Sequence, residues 1–223
     1  MKPTVDLRLY AILDPALLGG RDPVACARAA VAGGCTLLQL RDKRYAARPV
    51  IDLARRLNDV LRPAGVPLVV DDRVDVALAA GAAGVHLGRE DMAPEDARRI
   101  LGPQAIVGVT AHRPEEVDGV VAGIADYVGI GPVFATRSKD PGDPPIGPEG
   151  LSRLVARLHR RLPGFPVVAI AGIDEENASS VIAAGAQGIA VISALFSAPD
   201  IEAAAGRLRR IVDAALALRR DQP

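Results

Sequence analysis

Tryptophan is absent from the 223 residues, and three phenylalanines and three tyrosines are the only other aromatic side chains. Stacking bases on aromatic platforms is therefore an unlikely purpose. A net charge is also missing: 27 basic residues balance 27 acidic ones. No overall positive field exists to hold nucleic acid or an anionic membrane surface, so attraction for an anion must come from a local cluster. No stretch approaches the roughly 20 uninterrupted apolar residues of a membrane span. The segment from Met1 to Asp14 is broken by Lys2, Asp6 and Arg8 and lacks the apolar core of a secretory signal. Two cysteines, Cys26 and Cys35, are too few for a disulfide scaffold and read as buried thiols in a reducing cytoplasm.

What is present is a globular balance, 49% hydrophobic and 24% charged, which excludes a disordered or collagen-like chain. Short apolar runs alternate with longer helical patterns. Strands are expected at Arg8–Ile12, Leu37–Leu40, Leu68–Val70, Gly84–Leu87, Ile106–Val109, Tyr127–Ile130, Val167–Ile170 and Ile189–Ile192. Their Val, Ile and Leu content without strict alternation suits strands covered on both faces of a parallel sheet. Helical spacing follows Val50–Leu61, Leu151–Leu158 and Ile201–Val212. Three helices are expected to open with Pro-Glu, at Pro94, Pro114 and Pro148, where proline lacks only an N–H that would be unpaired and glutamate meets the positive end of the dipole.

Ala-Gly precedes the second, fourth, sixth and eighth strands, at Gly33, Gly81, Gly123 and Gly185, and each glycine is expected to end a helix in the left-handed conformation. Eight strands and eight helices in alternation predict an α/β chain folded as a single (β/α)8 TIM barrel, one domain over residues 1–223. A doubly wound sheet is the structural rival, but the turn after the first strand, Leu13-Asp14-Pro15, has no Gly-x-Gly-x-x-Gly.

The polar motifs fall just after strands, which in a barrel share the C-terminal rim where active sites are built. Gln39, Arg41 and Lys43 alternate at strand spacing, so all three point into the mouth if the strand persists. Two cations and an amide suit a phosphate or diphosphate; the competing reading is a solvated strand end with Arg41 paired to Asp42. Asp71, Asp72 and Asp91 supply hard oxygens suited to Mg²⁺, or else form a salt-bridge network with Arg73 and Arg89. The segment from Gly131 to Gly147 is long enough for a binding loop, with Thr136, Ser138 and Lys139 as donors to phosphate, or is an ordinary proline-stiffened loop. Gly172 and the Ile192-Ser193 pair close the last two strands, where barrels often bind phosphate through main-chain N–H groups; Gly172 as a plain tight turn is the alternative. His86 reads as packed in the barrel, His112 as a rim residue and His159 as part of a solvated helix face, and none is given a catalytic role.

These pieces together resemble the thiamine-phosphate synthase family. The resemblance is carried by Leu9–Asp14, Gly33–Lys43, Asp71–Ala77, Gly84–Asp91, Ala125–Phe134 with Thr136, Ser138 and Lys139, Val167–Ile173 and Gly188–Ala194. It implies a transferase that joins hydroxymethylpyrimidine diphosphate to a hydroxyethylthiazole phosphate, carboxylated in many members, with release of pyrophosphate. It implies Mg²⁺ on Asp72 and Asp91. It implies a pyrimidine diphosphate site from Gln39, Leu40, Arg41, Asp42 and Lys43 with Asp71, Thr110 and Lys139. Thr136, Arg137, Ser138, Gly172, Ile192 and Ser193 would hold the thiazole phosphate. Arg41, Lys43 and Lys139 would stabilise the charge on the leaving diphosphate. The implied partners are small phosphorylated molecules, with neither nucleic acid nor membrane, in the cytoplasm; a homo-oligomer is compatible with the sequence.

Three departures stand out. Asp71 stands where the family usually has Asn, Thr110 where Ser is common, and Ala171 where Gly is frequent. A thiazole tautomerase on the same barrel is one rival, though Gln39, Arg41, Lys43, Asp72, Asp91 and Lys139 argue against it. A non-catalytic relative that binds phosphorylated ligands is the other.

Overall fold

The β-branched runs form strands because each is covered on both sides, by the barrel lumen and by a layer of helices. The computed structural model describes residue 3 and residues 5–43, 46–136 and 143–220, the last without its side chain. The strands are β1 (Leu9–Leu13), β2 (Leu37–Leu40), β3 (Leu68–Asp71), β4 (Gly84–Leu87), β5 (Ile106–Ala111), β6 (Tyr127–Ile130), β7 (Val167–Ile170) and β8 (Gly188–Val191). They pair in parallel in sequence order, and β1 also pairs with β8, with Tyr10 opposite Ala190, so the sheet closes into the expected barrel.

Among the described residues the helices are α1 (Pro23–Ala32), α2 (Ala47–Leu61), α3 (Val74–Ala80), α4 (Pro94–Leu101), α5 (Pro114–Asp118), α6 (Gly147–Arg161), α7 (Ala178–Ala183), α8 (Ser193–Phe196) and α9 (Ile201–Arg220). The ninth is the short α8, set between the last strand and the long outer helix. Its first turn follows Ile192, whose φ of −111° and ψ of −80° end the strand one residue earlier than the apolar run implies. Pro94 and Pro114 open α4 and α5 as expected, and Pro148 sits one residue inside α6.

The punctuation by glycine is less uniform than the repeat implies. Gly81 caps α3 in the left-handed conformation, but Gly33 caps α1 with φ of −77° and leaves the left-handed turn to Gly34. Gly33 is small for another reason: a Cβ there would lie 2.3 Å from the carbonyl oxygen of Glu202, where α9 crosses. Gly123 and Gly185 have positive φ without being the caps of α5 and α7, which are Gly119 and Ala184.

Alternation along each strand divides the core in two. Leu38 and Leu40 of β2 face the helices, in one continuous outer core with Leu57, Leu61 and Ala77. Leu37 faces the lumen with Leu7, Val69, Ile106 and Val168, together with the rings of Tyr10 and Tyr127. That apolar cluster fills the lower lumen, beneath the C-terminal rim. Both cysteines are free and buried as expected, and burial pushes the Cys35 thiol up to about 12.

Candidate active site

The strand ends surround one cavity of about 840 Å³ at the C-terminal mouth. Its wall includes Gln39, Arg41, Lys43, Asp71, Asp72, Asp91, Thr110, Thr136, Gly172, Ile192 and Ser193. Although β2 ends at Leu40 and the chain bends at Lys43, Gln39, Arg41 and Lys43 therefore share the mouth. Leu40 does not reach it. Its side chain is fully buried among the helices, as period-two alternation requires, and Asp42 is likewise outside the cavity wall. Arg137, Ser138 and Lys139 lie outside the described residues.

The pairing of Arg41 with Asp42, the competing reading of this segment, is not what forms. Arg41 Nη1 lies 2.5 Å from Asp14 Oδ2, a carboxylate at the end of β1, and its Nε lies 3.6 Å from Asp71 Oδ2. The second contact is an attraction between charges rather than a hydrogen bond, and Nε is buried with no hydrogen-bond acceptor. A buried guanidinium donor left unsatisfied costs free energy. Asp14 is 5% exposed and its Oδ1 also accepts from the main-chain N–H of Ala16, so it is held from two sides. Asp14 was missed because its partner is 27 residues away; the available signal was a carboxylate ending the strand next to β2.

The alternative reading of the aspartates, a salt-bridge network with Arg73 and Arg89, does not form either. Arg73 turns away to Asp75, and Arg89 pairs with Glu90 and Glu116. Lys43 instead places its ammonium on Asp72 and within 3.5 Å of Asp71 Oδ2. Asp14, Arg41, Asp71, Lys43 and Asp72 thus form a ladder of alternating sign. Asp71, charged where the family resemblance leads one to expect an amide, sits between the two cations. Asp72 has a φ of +61°, a region Asp tolerates better than most residues, and its N–H donates to the His86 carbonyl at 2.8 Å. That kink turns its side chain to the mouth. Asp91 is oriented by accepting the Gly88 N–H at 2.7 Å through Oδ2.

On the opposite wall Gly172 has a φ of +67°, and a Cβ there would lie 2.5 Å from the Ala135 carbonyl oxygen. Turn geometry and packing against the loop after β6 both demand glycine at 172. Ala171 has a φ of +71° despite its methyl group, a strained conformation beside the site. His86 is packed as expected, 8% exposed, and touches the cavity, which His112 also lines with its Nδ1 near the Gly131 carbonyl. His159 differs from expectation: it is half-buried and its Nε2 reaches the Phe165 carbonyl at 2.9 Å.

Among the described residues no helix is long and apolar enough to cross a membrane. The family model for thiamine monophosphate synthase matches residues 9–195. A thiamine-phosphate synthase of Chloroflexus aurantiacus is 47% identical over 208 residues, covering 93% of this chain and 94% of its own. One of Agrobacterium fabrum is 47% identical over 215 residues, covering 96% and 98%. The solved structure of thiamine phosphate pyrophosphorylase from Pyrococcus furiosus superposes with a TM-score of 0.83 at 39% identity, covering 95% of this chain and 98% of that one.

Proposed function

The chain belongs to the thiamine monophosphate synthase family, and on that premise we propose how its mouth is used. It is a transferase that condenses 4-amino-2-methyl-5-hydroxymethylpyrimidine diphosphate with hydroxyethylthiazole phosphate to thiamine phosphate and pyrophosphate, or with its carboxylated form, whose carboxyl group then leaves as carbon dioxide. The observation that best supports an anion at the mouth is the buried Nε of Arg41, a donor without an acceptor beside the ammonium of Lys43.

In this reading Gln39, Arg41 and Lys43, with Asp71 and Thr110, hold the pyrimidine diphosphate, and Lys139 completes the set. Leu40 and Asp42 contribute through the main chain that spaces the others. Thr136, Gly172, Ile192 and Ser193 hold the thiazole phosphate across the cavity, joined by Arg137 and Ser138.

Asp72 and Asp91 fit a magnesium ion. Both offer hard oxygen donors to one cavity, and Asp72 already carries a cationic group. No cluster of three or more His, Cys, Asp or Glu ligands exists among the described residues. Mg²⁺ takes one or two carboxylates and fills its octahedron with water and phosphate oxygens. When bound, the ion would draw negative charge from the diphosphate oxygens as they depart.

The bond between the exocyclic carbon of the pyrimidine and the bridging oxygen breaks, and its electron pair leaves on pyrophosphate. The thiazole nitrogen supplies the pair for the new carbon–nitrogen bond and becomes the cationic nitrogen of the product. Arg41, Lys43 and Lys139 meet the charge that develops on the leaving group. No side chain needs to remove a proton, so holding the two substrates in line is the protein's main task. Mixing both substrates with Mg²⁺ and folded protein should yield thiamine phosphate and pyrophosphate. Absence of both products would remove this reading.

A further inference from the structure

Below the mouth, five polar side chains from five strands join in one buried chain. Gln39 Nε2 donates to Tyr10 Oη at 2.5 Å. Tyr10 Oη lies 2.8 Å from Tyr127 Oη, which lies 3.0 Å from His86 Nδ1. His86 Nε2 lies 2.8 Å from Thr110 Oγ1. The rings pack as well as bond: Tyr10 meets Tyr127 edge-on with centroids 5.8 Å apart, and His86 stacks on Tyr127 at 5.5 Å. Space for the middle ring comes from Gly108, where a Cβ would lie 2.1 Å from Tyr127 Cζ. The two ends of the chain, Gln39 and Thr110, line the cavity, and Tyr10 and His86 reach its floor, while Tyr127 is fully buried. No bond change in the reaction uses Tyr10, Tyr127 or His86.

Counting protons gives this chain a direction. Burial holds both phenols well above their ordinary range, so each keeps one hydrogen to donate. With Gln39 donating to Tyr10, the Tyr10 hydrogen has Tyr127 as its acceptor. Tyr127 then donates to His86 Nδ1, which leaves the imidazole hydrogen on Nε2 to meet Thr110 Oγ1. The Thr110 hydroxyl hydrogen is left for the mouth, and Gln39 keeps Oε1 to accept. Turning the Gln39 amide over reverses every link: Gln39 then offers N–H and Thr110 an acceptor. The hydrogen-bonding characters of two cavity residues on different strands are therefore set together.

We propose that Tyr10, Tyr127 and His86 are positioning residues that lock this polarity, and that the lock selects a 4-aminopyrimidine over a 4-oxopyrimidine. This rests on the reading above that the pyrimidine lies against Gln39 and Thr110. An exocyclic amine donates to Gln39 Oε1, and a ring nitrogen or phosphate oxygen accepts from Thr110. A 4-oxo group sets an acceptor against an acceptor, and relief requires reversing all four links. A site that leaves a buried polar group unpaired rejects the wrong ligand strongly. In Tyr127→Phe the chain is cut, so Gln39 can turn without the others and much of the discrimination disappears.

Two measurements test this on the full chain. Nitrogen-15 NMR of the ligand-free protein should find His86 as the Nε2–H tautomer, with Nδ1 as acceptor, and Tyr127→Phe should remove the acceptor signature. Binding of the pyrimidine diphosphate and of its 4-oxo analogue should show at least an about ten-fold loss of preference in Tyr127→Phe, with thiazole phosphate affinity unchanged. Should Tyr127→Phe not fold, Thr110→Val should lose the preference and Thr110→Ser should keep it. An Nδ1–H tautomer in the unaltered protein overturns the proposal, as does a preference that survives Tyr127→Phe, or survives Thr110→Val where that variant stands in. The tautomer needs no substrate, so a failure of the synthase reading is told apart by the product assay.

Discussion

Replacing Asp71 by asparagine removes one negative charge from between Arg41 and Lys43. Its Oδ2 lies 3.6 Å from the Arg41 Nε and 3.5 Å from the Lys43 Nζ. A phosphate oxygen bonded to either cation would lie roughly 6 Å from that carboxylate, where Coulomb's law gives about 0.7 kcal/mol per unit charge in bulk water and about 2.8 kcal/mol at an effective dielectric near 20. The mouth is open to water and Lys43 is half exposed, so the lower part of that range applies. About 1 kcal/mol is roughly a five-fold change in affinity. Asp71→Asn should therefore bind the pyrimidine diphosphate about three- to ten-fold more tightly, with no change for thiazole phosphate. The fold should survive, because Asp14 still holds Arg41 at 2.5 Å. Titration calorimetry at fixed salt and Mg²⁺ reads both affinities. Equal or weaker diphosphate binding in the variant would refute the reasoning and mark Asp71 as a ligand to the metal instead.

Ala171→Gly relieves a methyl group at a φ of +71°; the strain is about 1–2 kcal/mol and the added chain entropy of glycine offsets about half, so melting should rise by roughly 1–4 °C. An unchanged or lower melting temperature by calorimetry contradicts the strain. Asp91→Asn keeps an oxygen for the Gly88 N–H but loses the charge, so half-maximal turnover should need about ten-fold more Mg²⁺ or beyond; an unaltered Mg²⁺ titration removes Asp91 from the metal site. Cys35, raised by burial to about 12, and the buried Cys26 should resist thiol reagents at pH 8 in the folded protein and react fully in denaturant. Rapid labelling of the native protein would contradict their burial.

The barrel was legible because a strand covered on both faces is largely apolar, and eight such runs alternate with helical patterns along the chain. Gln39, Arg41 and Lys43 were legible for the same geometric reason, since period two carries them onto one face. Their partners were not. Asp14 and Arg41 are far apart along the chain, and only closure of the sheet puts the end of β1 beside the end of β2. Local pairs took the arginines that seemed available to Asp71 and Asp72: Arg73 reaches Asp75 two residues on, and Arg89 reaches Glu90. The Tyr10–Tyr127–His86 chain was hidden because each member reads alone as ordinary core, and its meaning lies in the order of contacts across the lumen.

Lys43, seated on the carboxylates that end β3, carries a charge already shared between Asp71 and Asp72. An ammonium has three N–H groups, so one can stay on a carboxylate while another turns to the oxygen of a second anion. Half exposed, the side chain can thereby act as a swivel that joins the end of the ladder to whatever anion enters, with neither charge left stranded.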